Sequence, residues 1–121
     1  MLMNDLYRID SFACEGGNID AAITIDAAHD IFKGHFPGQP VLPGVCQVQI
    51  VKELLSKGVD RELFLREAAH CKFLQLIDPV QVQFLQITIR YSEQAEGLAC
   101  QAVIKGGEAI FFKMNGFFVT K

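Results

Sequence analysis

The sequence predicts an α+β domain in which an antiparallel sheet of about five or six strands wraps around one long central helix. Three observations carry this. Apolar residues alternate with a period of two over much of the chain, one segment alone has a convincing helical pattern, and Gly or Pro clusters punctuate the intervals. The chain has 121 residues, 50% of them hydrophobic, which suits one domain with its own core and is too apolar for disorder. No repeat, linker or low-complexity stretch divides it, so residues 1–121 read as one domain whose folding unit begins near Asp5.

The elements follow in order. Ile19, Ala21, Ile23 and Ile25 alternate with Asp20, Ala22, Thr24 and Asp26, as in a half-buried strand. Gly16-Gly17-Asn18 is a turn, so Tyr7–Glu15 and Ile19–Asp26 form a hairpin. Val45–Lys57 is the helix, entered through Pro43-Gly44 and left at Gly58. At about 100° per residue, Val45, Cys46, Val48, Ile50, Val51, Leu54 and Leu55 cover most of its circumference, so it is a buried helix. Gln49 and Glu53 fall together one turn apart, and two polar groups in an apolar surround need hydrogen-bond partners or a ligand.

A short strand around Glu67–Leu74 comes next. In Val80–Ser92 the apolar phase switches between Phe84 and Leu85, which predicts a bulge or a strand twisting over the core edge. Leu98, Cys100, Ala102 and Ile104 alternate, Gly106-Gly107 turns the chain, and Glu108–Thr120 is the last strand. Its Phe111, Phe112, Phe117 and Phe118 exceed what one core can use, which predicts a dimer that buries some of them.

Eleven Lys and Arg against fourteen Asp and Glu give a net charge of −3 with no block of one sign, so no basic face exists for nucleic acid. The N-terminus Met-Leu-Met-Asn-Asp-Leu-Tyr-Arg lacks the pattern of a signal peptide, and no apolar run is long enough for a membrane span, so a cytoplasmic location is expected. Cys14, Cys46, Cys71 and Cys100 are widely spaced with no C-x-x-C pair, which predicts reduced, mostly buried thiols rather than a zinc site or disulfide frame. His29 and His35 lie six apart on a loop, too far for one helical face, and do not suggest a metal site. His70 beside Cys71 reads as structural. Cys46, although near a helix start, reads as packing, since only His35 could serve it as a base.

Between the hairpin and the helix, Pro37, Pro40 and Pro43 stiffen an apolar loop that feeds directly into the helix start. The first backbone N–H groups there, on Gly44, Val45 and Cys46, are expected to lack intrahelical partners and can hold a carbonyl oxygen gaining negative charge.

Residues 34–45, GHFPGQPVLPGV, closely resemble the signature of the β-hydroxyacyl-acyl-carrier-protein dehydratases of the hot-dog fold, in which a His-Phe-Pro loop precedes the central helix. The layout of hairpin, proline loop, long helix and strands is similar over essentially the whole chain. The resemblance implies that His35 is the base removing a proton next to the thioester carbonyl. It implies that the Gly44 and Val45 amides polarise that carbonyl, and that Phe36 and Pro43 bind substrate beside them. The family places a Glu or Asp fourteen residues after the histidine; here that position is Gln49. An amide does not surrender a proton at ordinary pH, and loss of a general acid costs about 10²–10⁴ in rate. A glutamine often follows the family's acid by four residues, and this chain has Glu53 there. Either Glu53 supplies a relocated carboxyl, or it pairs with a loop amide or Lys at the end of a buried stripe.

The resemblance therefore implies a 3-hydroxyacyl-acyl-carrier-protein dehydratase-like protein of fatty-acid or polyene lipid biosynthesis, needing no cofactor or metal. A non-catalytic acyl- or carrier-binding subunit stays open beside it, as does a hot-dog thioesterase, against which the His-Phe-Pro loop argues. Expected partners are an acyl carrier protein and a second subunit, in a homodimer, an oligomer of dimers, or a heterodimer with an active paralogue. Carrier proteins are acidic, which makes Lys33, Lys72 and Arg90 docking candidates.

Overall fold

Six strands form a single antiparallel sheet around one α-helix in the computed structural model, which describes residues 1–33 and 40–120. His35 and Phe36 lie outside the described residues. In chain order the elements are β1 (Tyr7–Glu15), β2 (Asn18–Ile25), a 3₁₀ turn (Asp30–Phe32), α1 (Gly44–Val59), β3 (Leu63–Phe73), β4 (Phe84–Gln94), β5 (Gly97–Gly106) and β6 (Ala109–Thr120). The strand order β1-β2-β4-β5-β6-β3 leaves β1 and β3 at the edges. Ile50, Val51, Leu54 and Leu55 of α1 are fully buried with Ile19 and Ile23 of β2, Ile87 and Ile89 of β4, Ile104 of β5, and Phe112 and Phe118 of β6. Each such side chain contributes about 1.5–3 kcal/mol by leaving water, so helix and sheet stabilise each other.

The β1–β2 hairpin closes as the glycine pair requires. Glu15 pairs with Asn18, and Gly16 and Gly17 both have positive φ, 58° and 78°, as a two-residue type I′ turn demands. The chain is tied down earlier than Asp5. Leu6 is fully buried, Leu2 and Met3 pack on the core, and the Leu6 carbonyl accepts from Asp26 N–H, so the folding unit begins at Leu2.

The helix does not stop at Gly58. It continues to Val59 and ends at Asp60, whose φ of 54° is left-handed and whose N–H donates to the Ser56 carbonyl. Gly58 is there for space: a Cβ would stand 2.5 Å from Ile19 Cδ1 and 3.3 Å from Cys14 Sγ. Gly58→Ala should therefore destabilise by about 1–3 kcal/mol from overpacking despite a gain of about 1 kcal/mol in helix propensity, read as a lower urea midpoint.

Other expectations are corrected by packing. The phase switch at Phe84–Leu85 is the start of β4, not a bulge: Asp78 O accepts from Gln81 and Val82 N–H in a turn, and β4 pairs with β2 and β5 in unbroken register. β3 runs eleven residues, not a short stretch. Phe111, Phe112 and Phe118 are buried within the chain, because a sheet curled round one helix has room for them. The exposed large apolar residues among those described are instead Met1, Val45 and Ile110 and, from β3 to the start of β4, Phe64, Leu65, Phe73, Leu74, Leu76, Val80 and Phe84. Only two of the four cysteines, Cys46 and Cys100, are buried; Cys14 and Cys71 are exposed on edge strands.

Candidate active site at the start and middle of the helix

The end of the proline loop is pinned by backbone and side chain together. Leu42 is buried, its N–H donates to Ile77 O, and its carbonyl accepts from Gln47 Nε2 at 3.1 Å. Pro43 is the N-cap residue and offers no capping side chain. Cys46 and Gln47 N–H both donate to Pro43 O, at 3.0 and 3.2 Å, so Cys46 is not among the open donors expected there. Gly44 and Val45 N–H have no backbone acceptor among the described residues. Two adjacent N–H groups at a helix start suit an oxygen carrying partial negative charge.

Gly44 lies beneath an aromatic ring. A Cβ there would stand 2.8 Å from the Phe73 ring, which stacks on Phe112 at 4.7 Å between centroids. Val45 beside it is 76% exposed, an uncovered apolar side chain at the helix start. The helix is thus not apolar-buried all round: Val45, Gln49, Lys52 and Ser56 form a stripe that the sheet leaves partly open.

Gln49 and Glu53 meet one turn apart, as their spacing predicts: Gln49 Nε2 donates to Glu53 Oε2 at 2.8 Å. Glu53 is only 6% exposed, and its other three partners come from the chain terminus. Leu2 N–H donates to Oε2 at 2.8 Å, Met3 N–H to Oε1 at 2.8 Å, and Tyr7 Oη to Oε1 at 3.0 Å. Each carboxylate oxygen therefore accepts two hydrogen bonds, the full capacity of the ionised group. Burial alone would raise the Glu53 carboxyl, but the bonds from Leu2, Gln49, Met3 and Tyr7 together outweigh it and hold the group below the usual glutamate range. Burial first, then the Glu53 charge and hydrogen bond, push the Tyr7 hydroxyl far above the usual tyrosine range, so it remains a donor.

A depressed carboxyl contributes stability above its unfolded value and loses it as pH falls through the folded one. The Glu53 contribution should be complete above about pH 4.3, the usual value in the unfolded chain, and be lost progressively below it as pH falls through the depressed folded value. Urea midpoints followed from about pH 7 to about pH 3 should show this loss in the wild type, and Glu53→Gln should remove it.

Gln49 and Glu53 line one end of a groove of about 680 Å³ that runs along α1 past Lys52, Ser56 and Lys57 to Asp60 and Arg61, with Met1 and Met3 on its rim. Gln47 is a buried polar residue of the helix start that sequence reasoning missed. It is 3% exposed, and its Oε1 is buried without a hydrogen-bond partner among the described residues. Nothing in the sequence marks it off from any helical glutamine. The N-terminal strap, Leu2 to Tyr7, was missed because its part is played by backbone N–H groups, which every residue carries.

The remaining candidates lie apart. His29 Nδ1 accepts from Ile31 N–H as the cap of the 3₁₀ turn, and its Nε2 faces Asp5 at 3.1 Å. His70 is exposed at a bulge of β3 with a φ of 56°. Burial raises the Cys46 thiol, so it holds no ready thiolate. Lys33 pairs with Asp30, while Lys72 stands opposite Lys113 and Arg90 opposite Gln101 on exposed positions of the sheet. No cluster of metal-ligating side chains occurs among the described residues, and no described helix is long and apolar enough to cross a membrane.

One antiparallel sheet curled about one helix is the hot-dog architecture, and solved structures agree. The dehydratase heterocomplex ApeI:P from Xenorhabdus doucetiae matches with a TM-score of 0.74 at 19% identity, covering 92% of this chain and 96% of that one. A thioesterase from Haemophilus influenzae, HI1161, matches with a TM-score of 0.67 at 13% identity, covering 97% and 80%. At these identities the likeness is one of fold. The family model described as ApeI-like, ApeI dehydratase, matches residues 11–109, and the chain belongs to that family. Among curated proteins it is 32% identical over 66 residues to the 3-hydroxyacyl-[acyl-carrier-protein] dehydratase FabZ of Rickettsia felis, 48% of this chain and 46% of that protein. The FabZ of Wolbachia pipientis wMel is 29% identical over 82 residues, 62% and 57%. The chain spans about half the length of the curated relatives it matches.

Proposed function

We propose that this protein is a dehydratase-family subunit that binds a 3-hydroxyacyl thioester at the start of α1 and, by itself, lacks the proton donor needed to expel the hydroxyl. The observation that carries the reading is the state of Glu53. Its four acceptor sites are filled by Leu2, Met3, Tyr7 and Gln49, so a proton could enter only by displacing one of these donors. Gln49, at the position of the family's acid, is an amide. His35 as the base, the Gly44 and Val45 N–H groups as the carbonyl clamp, and Phe36 and Pro43 beside them retain the rest of the machinery. Such a subunit can bind the acyl thioester, and enolise it, more readily than it dehydrates it.

The missing acid would come from a partner. The uncovered Val45 and the exposed apolar residues of β3 support a second subunit, and an edge strand with open N–H and C=O groups supports pairing there. A solved neighbour is itself named as a heterocomplex, which supports a heterodimer with an active paralogue over a homodimer. An acyl carrier protein is the natural donor of the thioester, and Lys52 and Lys57 on the groove are better placed to meet it than Lys33, Lys72 or Arg90. Two exposed free thiols suit a reducing, cytoplasmic setting.

The test is turnover of a 3-hydroxyacyl thioester, and hydration of its trans-2-enoyl product, by the chain alone and mixed with an active dehydratase paralogue. Slow or absent turnover alone, with full turnover in the mixture that His35→Ala in this chain reduces by about 10²-fold or more, is expected. Fast turnover by the isolated chain that Glu53→Gln abolishes would overturn the reading and make Glu53 the relocated acid.

A further inference from the structure

The hydrogen bond between Gln49 and Glu53 does more than satisfy two polar groups. A carboxylate whose oxygens accept from Leu2, Met3 and Tyr7 has no proton to give, so only the N–H side of the Gln49 amide can face it. The amide cannot flip without placing its carbonyl oxygen against a negative charge. Gln49 Oε1 is therefore turned away from Glu53, and it makes no hydrogen bond among the described residues. It is not buried either: the buried side-chain polar atom without a partner is Gln47 Oε1, while Gln49 is half-buried and lines the groove.

We infer that Gln49 is a specificity-determining residue that presents a fixed hydrogen-bond acceptor to the hydroxyl of a 3-hydroxyacyl chain, and that Glu53, anchored by the N-terminal strap, is the positioning residue that fixes it. This rests on the acyl-thioester reading above and adds which ligand the site prefers. An acceptor at this place discriminates in one direction: a 3-hydroxyacyl chain donates to it, whereas a saturated or 2-enoyl chain leaves Oε1 without a donor on the ligand. The site thus holds the hydroxylated ligand and releases the dehydrated one. The strap acts through three groups, two backbone N–H and one phenol, that converge on a single carboxylate more than forty residues away in sequence.

Calorimetry with 3-hydroxyoctanoyl-pantetheine and octanoyl-pantetheine tests this, on the wild type, Gln49→Leu and Glu53→Gln, each checked for folding by circular dichroism. The wild type should bind the hydroxylated thioester about tenfold more tightly, the worth of one hydrogen bond. Gln49→Leu and Glu53→Gln should both bring the ratio of the two affinities to about one, whatever each does to octanoyl-pantetheine binding, since an amide at position 53 can donate to Gln49 Oε1 and turn it inward. In ¹⁵N spectra the two Gln49 side-chain N–H protons, assigned by their loss in Gln49→Leu, should be separated more widely in the wild type than in a free glutamine amide, because one of them donates to the carboxylate, and should return to the ordinary separation in Glu53→Gln.

Equal binding of the two thioesters by the wild type overturns the acceptor role and leaves the acyl reading intact. Binding of neither overturns both. A ratio that survives in Glu53→Gln overturns the positioning role. If Glu53→Gln does not fold, Gln49→Leu, which leaves the strap untouched, still decides the acceptor role, and a Gln49 NH₂ separation in the wild type no wider than that of a free glutamine amide would overturn the positioning role.

Discussion

Replacing Gln49 by glutamate is expected to raise the dehydration rate of the isolated chain by about 10²–10⁴-fold, the usual worth of a general acid. The gain has a structural reason beyond restoring a carboxyl to the family's position. Gln49 Nε2 lies 2.8 Å from Glu53 Oε2, so Gln49→Glu would bring two carboxyl groups within hydrogen-bond distance. Two carboxylates that close cannot both ionise, and one holds its proton well above the ordinary value of about 4.3. Glu53, already bound to Leu2, Met3 and Tyr7, is the member that stays ionised. The introduced carboxyl is then the protonated one at neutral pH, as an acid facing a leaving hydroxyl must be. The check is kcat for a 3-hydroxyacyl thioester against pH: activity in Gln49→Glu should fall as pH rises through the raised pKa, and Glu53→Gln in the same background should move that fall to lower pH. An unchanged rate in a folded Gln49→Glu would show that the helix position no longer faces substrate.

Removing the Glu53 carboxylate is expected to cost about 3 kcal/mol and lower the melting temperature by roughly 10 °C. In Glu53→Ala the N–H groups of Leu2 and Met3, the Tyr7 hydroxyl and the Gln49 amide all lose their acceptor together. Tyr7 is the most affected, being a buried phenol whose single polar atom would be left unpaired. Glu53→Gln should cost less, because a carbonyl oxygen remains to accept from part of the strap. The effect should also be local before it is global: in hydrogen exchange, the amides of Leu2, Met3 and Leu6 should lose protection in Glu53→Ala while those of Ile50, Val51 and Leu54 keep theirs under native conditions. A variant as stable as the wild type would mean that water replaces the carboxylate without loss.

The two outcomes are linked by a trade visible in the chain itself. A carboxylate that anchors the terminus through three hydrogen bonds and accepts a fourth from Gln49 is a poor proton donor, and an amide that faces it is a poor acid. The Gln49–Glu53 pair is therefore well arranged for holding a ligand in one orientation and badly arranged for expelling a hydroxyl. On the reading proposed above, that arrangement suits a subunit that works beside another.

The sequence by itself determined the sheet-around-helix fold and most of its boundaries. Alternation at Ile19–Ile25 and Leu98–Ile104, the glycine pair at Gly16-Gly17 and the single helical pattern after Pro43-Gly44 are local signals, each dictated by backbone geometry that holds wherever the segment sits. The juxtaposition of Gln49 and Glu53 was legible for the same reason, since a spacing of four residues places side chains on one helical face. What only the tertiary structure decided is everything that depends on partners distant in sequence. Gly58 could be told from a helix stop only once Ile19 was seen against it. Phe111, Phe112 and Phe118 could be placed inside only once the sheet was seen to curl. Above all, Glu53 owes its place at the chain terminus to the backbone N–H groups of Leu2 and Met3, donors that every residue carries and that only folding can aim.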